Sequence, residues 1–301
     1  MISFRWTAAL LAAGSLASAG AATAQEAIVG VLEERPGVYD GERPTRVVRA
    51  VFHKPAGGAW TAYDASCLQQ RCYPAETAWT VGFDGRVLGR VTGRAPATWE
   101  FSADAGRQSI VGGGAVPTAG ARGNDFAGFT GGPLHRPLVT SSTGRVSDPE
   151  TWRRQALPAA TAAAVRAHFR TRFPQAERCA SETENVARPW AYAATDIVVD
   201  GAYVAANGWR IAQASLPLSQ YRCDGPLEDG GDGPFTPQTV AISPTGVLTP
   251  LGGGMRLVDA GDYDGDGASE LIFFFSLYNN DGYRLFSRNF AETASFSFSY
   301  H

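Results

Sequence analysis

The chain has 301 residues and a formal net charge of −3, with 26 Lys and Arg against 29 Asp and Glu. So mild an acidic balance gives no electrostatic reason to expect nucleic acid as a partner. Beyond the N-terminus no run approaches the roughly 18 uninterrupted apolar residues that a membrane-spanning helix needs.

Residues 1–24 read as a secretory signal: Arg5 gives a positive start, Trp6 to Leu16 an apolar run, and Ala22-Thr23-Ala24 a small-x-small cleavage site. Gly14, Ser15 and Ser18 interrupt the run too soon for an anchor, and no cysteine stands at the cut for a lipid. Cleavage near Ala24 implies a periplasmic or extracellular protein. It removes one Arg and no acid, moving the charge from −3 to −4. The basic residues are almost all Arg, and Lys54 is the single Lys.

Short apolar or β-branched runs punctuated by Gly, Asp, Asn and Pro predict a mainly β fold of antiparallel sheets. The expected architecture is β-propeller-like or a related multi-hairpin one. The division is an N-terminal β region over 25–140, a helical insertion over 141–178, and a C-terminal β region over 179–301. Arg46–Phe52 turns at Ala56-Gly57-Gly58 into Trp60–Tyr63. Ala78–Phe83 turns at Asp84-Gly85 into Arg86–Val91, since Asp-Gly suits the positive φ of primed hairpin turns. Residues 111–133 are a Gly-rich loop, and no Walker Lys-Ser/Thr follows to make it a phosphate cradle.

Ser147 and Glu150 have capping-box spacing, with Pro149 suited to the first turn of a short helix. Pro158 ends that helix and can start a second one. Val165, Phe169 and Phe173 at i, i+4 and i+8 then mark one buried face, giving helix near 148–173. His168 beside this stripe reads as a partly exposed helix residue. Farther on, Thr239–Ile242 turns at Pro244-Thr245-Gly246 into Val247–Thr249. Leu271–Leu277 turns through Asn279-Asn280-Asp281-Gly282 into Tyr283–Phe286. Phe296 to Tyr300 is a final alternating strand.

The four cysteines, Cys67, Cys72, Cys179 and Cys223, fit two disulfides in an oxidising compartment. Three pairings are possible, and Cys67–Cys72 with Cys179–Cys223 is favoured. A cysteine metal site is disfavoured because no CxxC pair exists.

The stretch Asp262-Tyr263-Asp264-Gly265-Asp266-Gly267-Ala268-Ser269-Glu270 carries the chemistry. Carboxylates at its positions 1, 3, 5 and 9 suit calcium, a hard cation that takes six to eight oxygens. The expected ligands are Asp262, Asp264, Asp266, the Ala268 carbonyl and Glu270, with Gly267 permitting the sharp turn. Without a cation such carboxylates would repel one another. An EF-hand needs Glu at position 12, where Phe273 stands here. An apolar strand, Leu271 to Phe275, begins at once. The segment resembles the FG-GAP/VCBS calcium repeat of integrin-like β-propellers, in one copy of about 20 residues. That resemblance implies a loop of form DxDxDGxxD between strands, with Glu270 replacing the commoner ninth-position Asp. A second acidic cluster, Asp224, Glu228, Asp229 and Asp232, reads as a solvated turn.

No G-x-S-x-G elbow and no H-E-x-x-H is present. The leading reading is an exported, non-enzymatic binding or surface-interaction protein with structural calcium, whose partner is a protein or glycan. One alternative is an envelope hydrolase assembled from distant loops, with His135 near Ser141 or Ser142. Another is a periplasmic assembly factor docking through Trp152, Trp190 or Tyr300.

Overall fold

The computed structural model describes residues 26–300, apart from 36–43, 65–66, 68–71, 97–101, 113, 121–122, 130, 182–183 and 218–232. The described chain is mainly β, with antiparallel pairing throughout and one α-helix. The first sheet contains β1 (Ala27–Arg35), β2 (Thr45–Lys54), β3 (Thr61–Ala62), β4 (Thr77–Phe83), β5 (Arg86–Gly93), β6 (Arg107–Ser109) and β7 (Leu138–Ser141). Its order is β3-β2-β1-β7-β4-β5, with β6 also paired to β2. The Asp84-Gly85 turn lies between β4 and β5 with φ of 54° and 72°, the left-handed pair expected of that dipeptide.

The second sheet runs β14 (Leu248–Gly253), β13 (Gln238–Ile242), β12 (Arg210–Ser215), β11 (Val198–Val204) and β8 (Arg153–Arg154). A separate hairpin joins β9 (Ala176–Ser181) to β10 (Glu184–Trp190). The last sheet is a meander of β15 (Met255–Gly261), β16 (Glu270–Leu277), β17 (Asn280–Ser287) and β18 (Glu292–Ser299). The sheets are unequal, and among the described residues they form neither a closed barrel nor a ring of repeated blades.

Strand alternation explains the layering. Residues 270–275 of β16 are all buried, so both faces of the strand are covered. Ile272 and Phe274, with Tyr283, Leu285, Phe296 and Phe298, pack on the first sheet through Val29, Val31, Phe52, Trp79 and Val81. Leu271, Phe273 and Phe275 point the other way, onto Ile211 and Ala241 of the second sheet and onto Trp152. The second sheet uses its far face in turn. There Ala212, Ala214, Val240 and Ile242 meet Val165 and Phe169 of α1 (Ala159–Arg172). The order is first sheet, last sheet, second sheet, helix.

Two local expectations are corrected. The helix begins only after Pro158, which is its N-cap, and residues 148–157 hold a turn and β8. The Asp148 carboxylate accepts the Trp152 N–H at 2.6 Å, so its side chain closes a turn where a capping box was expected. In the last hairpin the turn is Tyr278-Asn279, because Asn280 already pairs with Leu277. Asp281 and Gly282 therefore lie inside β17. No described helix is long and apolar enough to cross a membrane.

Cys67 and Cys72 form a disulfide with Cα atoms 5.0 Å apart. Cys179 is also disulfide-bonded. Cys223, the acidic cluster from Asp224 to Asp232, and residues 1–24 lie outside the described residues.

Candidate functional site

The acidic loop links the buried end of β15 to the buried start of β16, and its shape comes from its own side chains. Asp262 Oδ1 accepts the Gly265 N–H at 2.7 Å and Oδ2 the Gly267 N–H at 3.1 Å. Asp264 Oδ1 accepts the Asp266 N–H at 3.0 Å, and Glu270 Oε2 reaches back to the Tyr263 N–H at 2.9 Å. Gly265 and Gly267 have φ of 79° and 90°, a region glycine enters without steric cost.

This winding brings carboxylate oxygens of Asp262, Asp264 and Glu270 within 4.8 Å of one another. Three carboxylate oxygens within that span could hold a metal ion. Asp264 and Glu270 are buried and Asp262 half-buried. Of the other expected ligands, Asp266 is exposed and accepts the Ala268 N–H at 2.9 Å. Neither Asp266 nor Ala268 belongs to the convergent trio.

Burial raises the Glu270 carboxyl to about 8, and the neighbouring Asp264 and Asp266 charges push the same way. The Trp60 indole N–H lies beside it, too loosely placed for a well-formed hydrogen bond. Asp262 is raised too, first by burial and then by the like charges of Asp264 and Asp266, against its two backbone hydrogen bonds.

Sequence reasoning missed Lys54. Its ammonium donates to Asp264 Oδ2 from the end of β2, and both side chains are buried. The signal was its being the single Lys in a chain whose other cations are Arg. Other bonds tie the loop to residues 143–148. Asp262 N–H donates to the Ser147 carbonyl at 2.6 Å, Arg145 Nη1 to the Asp264 carbonyl at 2.9 Å, and Ser269 Oγ to Asp148 Oδ1 at 2.8 Å.

A cavity of about 310 Å³ opens farther along the same sheet, between the first and last sheets. Rings of Phe126, Phe274, Tyr283, Phe298 and Tyr300 line it. On one wall Glu33 Oε1 accepts Arg49 Nη2 at 2.8 Å and Arg107 Nε at 3.1 Å, while Oε2 accepts the Tyr283 hydroxyl at 2.8 Å. Burial alone would raise the Glu33 carboxyl. The two guanidinium charges and the hydrogen bonds from Arg49 and Tyr283 outweigh it and hold the group below its ordinary value.

At the rim His135 Nδ1 lies 2.5 Å from Glu34 Oε1. The two serines weighed with His135 are engaged elsewhere. Ser141 is fully buried against Thr143 Oγ1 at 2.9 Å, and Ser142 Oγ accepts the Ile28 N–H at 3.0 Å. Of the aromatics considered for docking, Trp152 is buried and Trp190 and Tyr300 are half-buried.

Comparison of the chain with protein-family models, with curated proteins and with solved structures gives no match.

Proposed function

We propose that the chain is an exported, non-catalytic binding or surface-interaction protein, and that a calcium ion in the 262–270 loop is part of its scaffold. The convergence of Asp262, Asp264 and Glu270 within 4.8 Å carries this reading. The loop's likeness to the FG-GAP/VCBS repeat supports calcium as the ion. Its position supports a structural role, since an ion there adds to bonds already joining β2, the 143–148 segment and the β15–β16 connection. The Cys67–Cys72 disulfide agrees with an oxidising compartment. A ligand-sized cavity between the sheets supports a binding role.

Thermal unfolding with millimolar calcium, with magnesium and with chelator tests the metal. At a free concentration a hundred times the dissociation constant, calcium adds about 2.7 kcal/mol. That raises Tm by roughly 5–10 °C in a chain of this size. Magnesium demands a tighter octahedron and gives a smaller shift. Identical curves with calcium and with chelator overturn the calcium assignment.

A further inference from the structure

We infer that the cavity between the first and last sheets binds a small organic ammonium ion. This deepens the binding reading by naming its ligand class, and it is independent of calcium in the loop.

The inference starts from Asp281. This β17 carboxylate is 2% exposed and lines the cavity. It accepts the Phe129 N–H at 3.1 Å and the Tyr300 hydroxyl at 2.7 Å, both neutral donors. Among the described residues no Lys, Arg or His forms an ion pair with it. The other acids nearby already face cations. Glu33 has Arg49 and Arg107, and Arg107 also holds Asp104 at 2.6 Å, which commits the one guanidinium lining the cavity among the described residues. Glu34 faces the Arg46 charge from the neighbouring strand, and its oxygens also meet His135 Nδ1 and the Leu134 N–H at the rim. Of these described acids, Asp281 is the one whose charge lacks a counter-ion.

What surrounds that charge is aromatic. Phe298 and Tyr300 meet at 5.7 Å between ring centroids; Arg49 covers one face of Phe298 at 4.0 Å and Phe129 stacks on one face of Tyr300 at 5.4 Å, so a ligand in the cavity meets what remains of both rings. Ring faces attract cations through their quadrupole, and alkylated ammonium ions are the cations that such a wall favours over water. A buried carboxylate behind the rings supplies the opposite charge. The backbone is shaped to that carboxylate as well. Gly128 bridges Gly131 directly over Asp281, and a Cβ at Gly128 would stand 2.2 Å from Asp281 Oδ2. A space of about 310 Å³ admits a ligand of choline's size with room for a few further atoms.

The test is calorimetric titration of the folded protein with choline and with its uncharged isostere 3,3-dimethylbutan-1-ol, with methyl glucoside as a neutral sugar. Choline binds roughly tenfold or more tightly than the isostere if charge and ring faces act together. Asp281→Asn and, separately, Tyr300→Leu each remove that difference while leaving the circular dichroism spectrum unchanged. Equal affinity for choline and its isostere overturns the ammonium assignment. Sugar binding without choline binding overturns it too, but leaves the binding-protein reading standing. If none of the three binds, the ligand class is wrong and the binding role loses its site. Two variants at different chain positions guard against one that fails to fold.

Discussion

The only lysine of the chain, Lys54, is buried against Asp264, 210 positions away in sequence. The pair joins the first sheet to the acidic loop inside the protein. Removing one member leaves the other charge buried and unpaired, which typically costs about 3–5 kcal/mol. Asp264→Asn is therefore expected to lower stability by that order even in chelator, where no metal contributes. Lys54→Met should act differently, because it deletes the positive charge nearest the carboxylates. The variant is less stable in chelator, and calcium restores more stability to it than to the parent. Urea denaturation with and without calcium measures both effects. A calcium response no larger in Lys54→Met than in the parent would show that the ammonium and the metal do not share one electrostatic role.

Asp259, three residues before the loop, sets a pH dependence. Burial raises its carboxyl to about 7, with Asp148 adding to the rise, against Arg136 and the Asp84 and Ala260 N–H groups. Arg153 lies on the Asp84 and Asp148 side of this cluster, and Tyr263 also feels the Asp259 charge. From about pH 4 to about pH 7 the folded chain holds a proton that the unfolded chain has released. Stability from this group is thus greatest below pH 4, declines up to about pH 7 and is flat above, by a total of roughly a few kcal/mol. Asp259→Asn keeps the acceptor oxygen and cannot ionise. Its Tm should exceed the parent's at pH 8 and match it near pH 4. Parallel curves at all pH values would contradict the assignment.

Two glycines should respond oppositely to a methyl group. Gly267 has φ of 90°, and beyond its chain neighbours nothing lies within 4 Å of the point its Cβ would occupy, so Gly267→Ala meets only backbone strain, about 1–2 kcal/mol. At Gly282 the same atom would lie 2.2 Å from the Phe296 carbonyl oxygen and 2.5 Å from the Phe275 ring. Gly282→Ala overpacks the middle layer and should cost about 3 kcal/mol or more. Chemical denaturation ranks the two, and a Gly267→Ala loss equal to that of Gly282→Ala would be the contrary result.

Arg49 is fully buried, bonded to Glu33 and to the Ala103 and Ala105 carbonyls, with its guanidinium carbon 4.0 Å from the Phe298 ring centre. Arg49→Met is expected to cost about 3–5 kcal/mol. Glu33→Gln in the same chain should return part of that loss, because without Arg49 the buried Glu33 carboxylate keeps Arg107 as its one cation among the described residues. A double-mutant cycle gives the coupling directly, and strictly additive losses would place the energy in packing alone.

Local features were legible in sequence to the extent that local chemistry decides them. Asp84-Gly85 has the dihedral preference of its turn whatever surrounds it, and Val165 and Phe169 mark the buried face of their helix. Of the acids spaced along Asp262 to Glu270, Asp262, Asp264 and Glu270 converge while Asp266 points to solvent. Where distant groups decide, sequence misled. Ser147-Asp-Pro-Glu150 has the letters of a helix start, but Asp148 is taken by the Trp152 N–H and by Ser269, 121 positions on. Asn279-Asn280-Asp281-Gly282 looks like a four-residue turn. Asp281 and Gly282 are the second and third residues of β17 instead, where Asp281 faces the cavity and Gly282 makes room for Phe275. Lys54 could be counted, but nothing local said that it would be buried.

The placement of β16 between two other sheets has a consequence for how the molecule is made. Synthesis reaches residues 270–277 only after the strands on either side, β1 to β7 and β8 to β14, have been completed. Until then Val29, Val31 and Trp79 on one side and Ile211 and Ala241 on the other have no partner layer. Contacts of such long range close slowly and leave apolar surface open to aggregation meanwhile. The last meander is the keystone: both earlier sheets wait for it, and a chain cut short before residue 270 exposes two sticky faces at once.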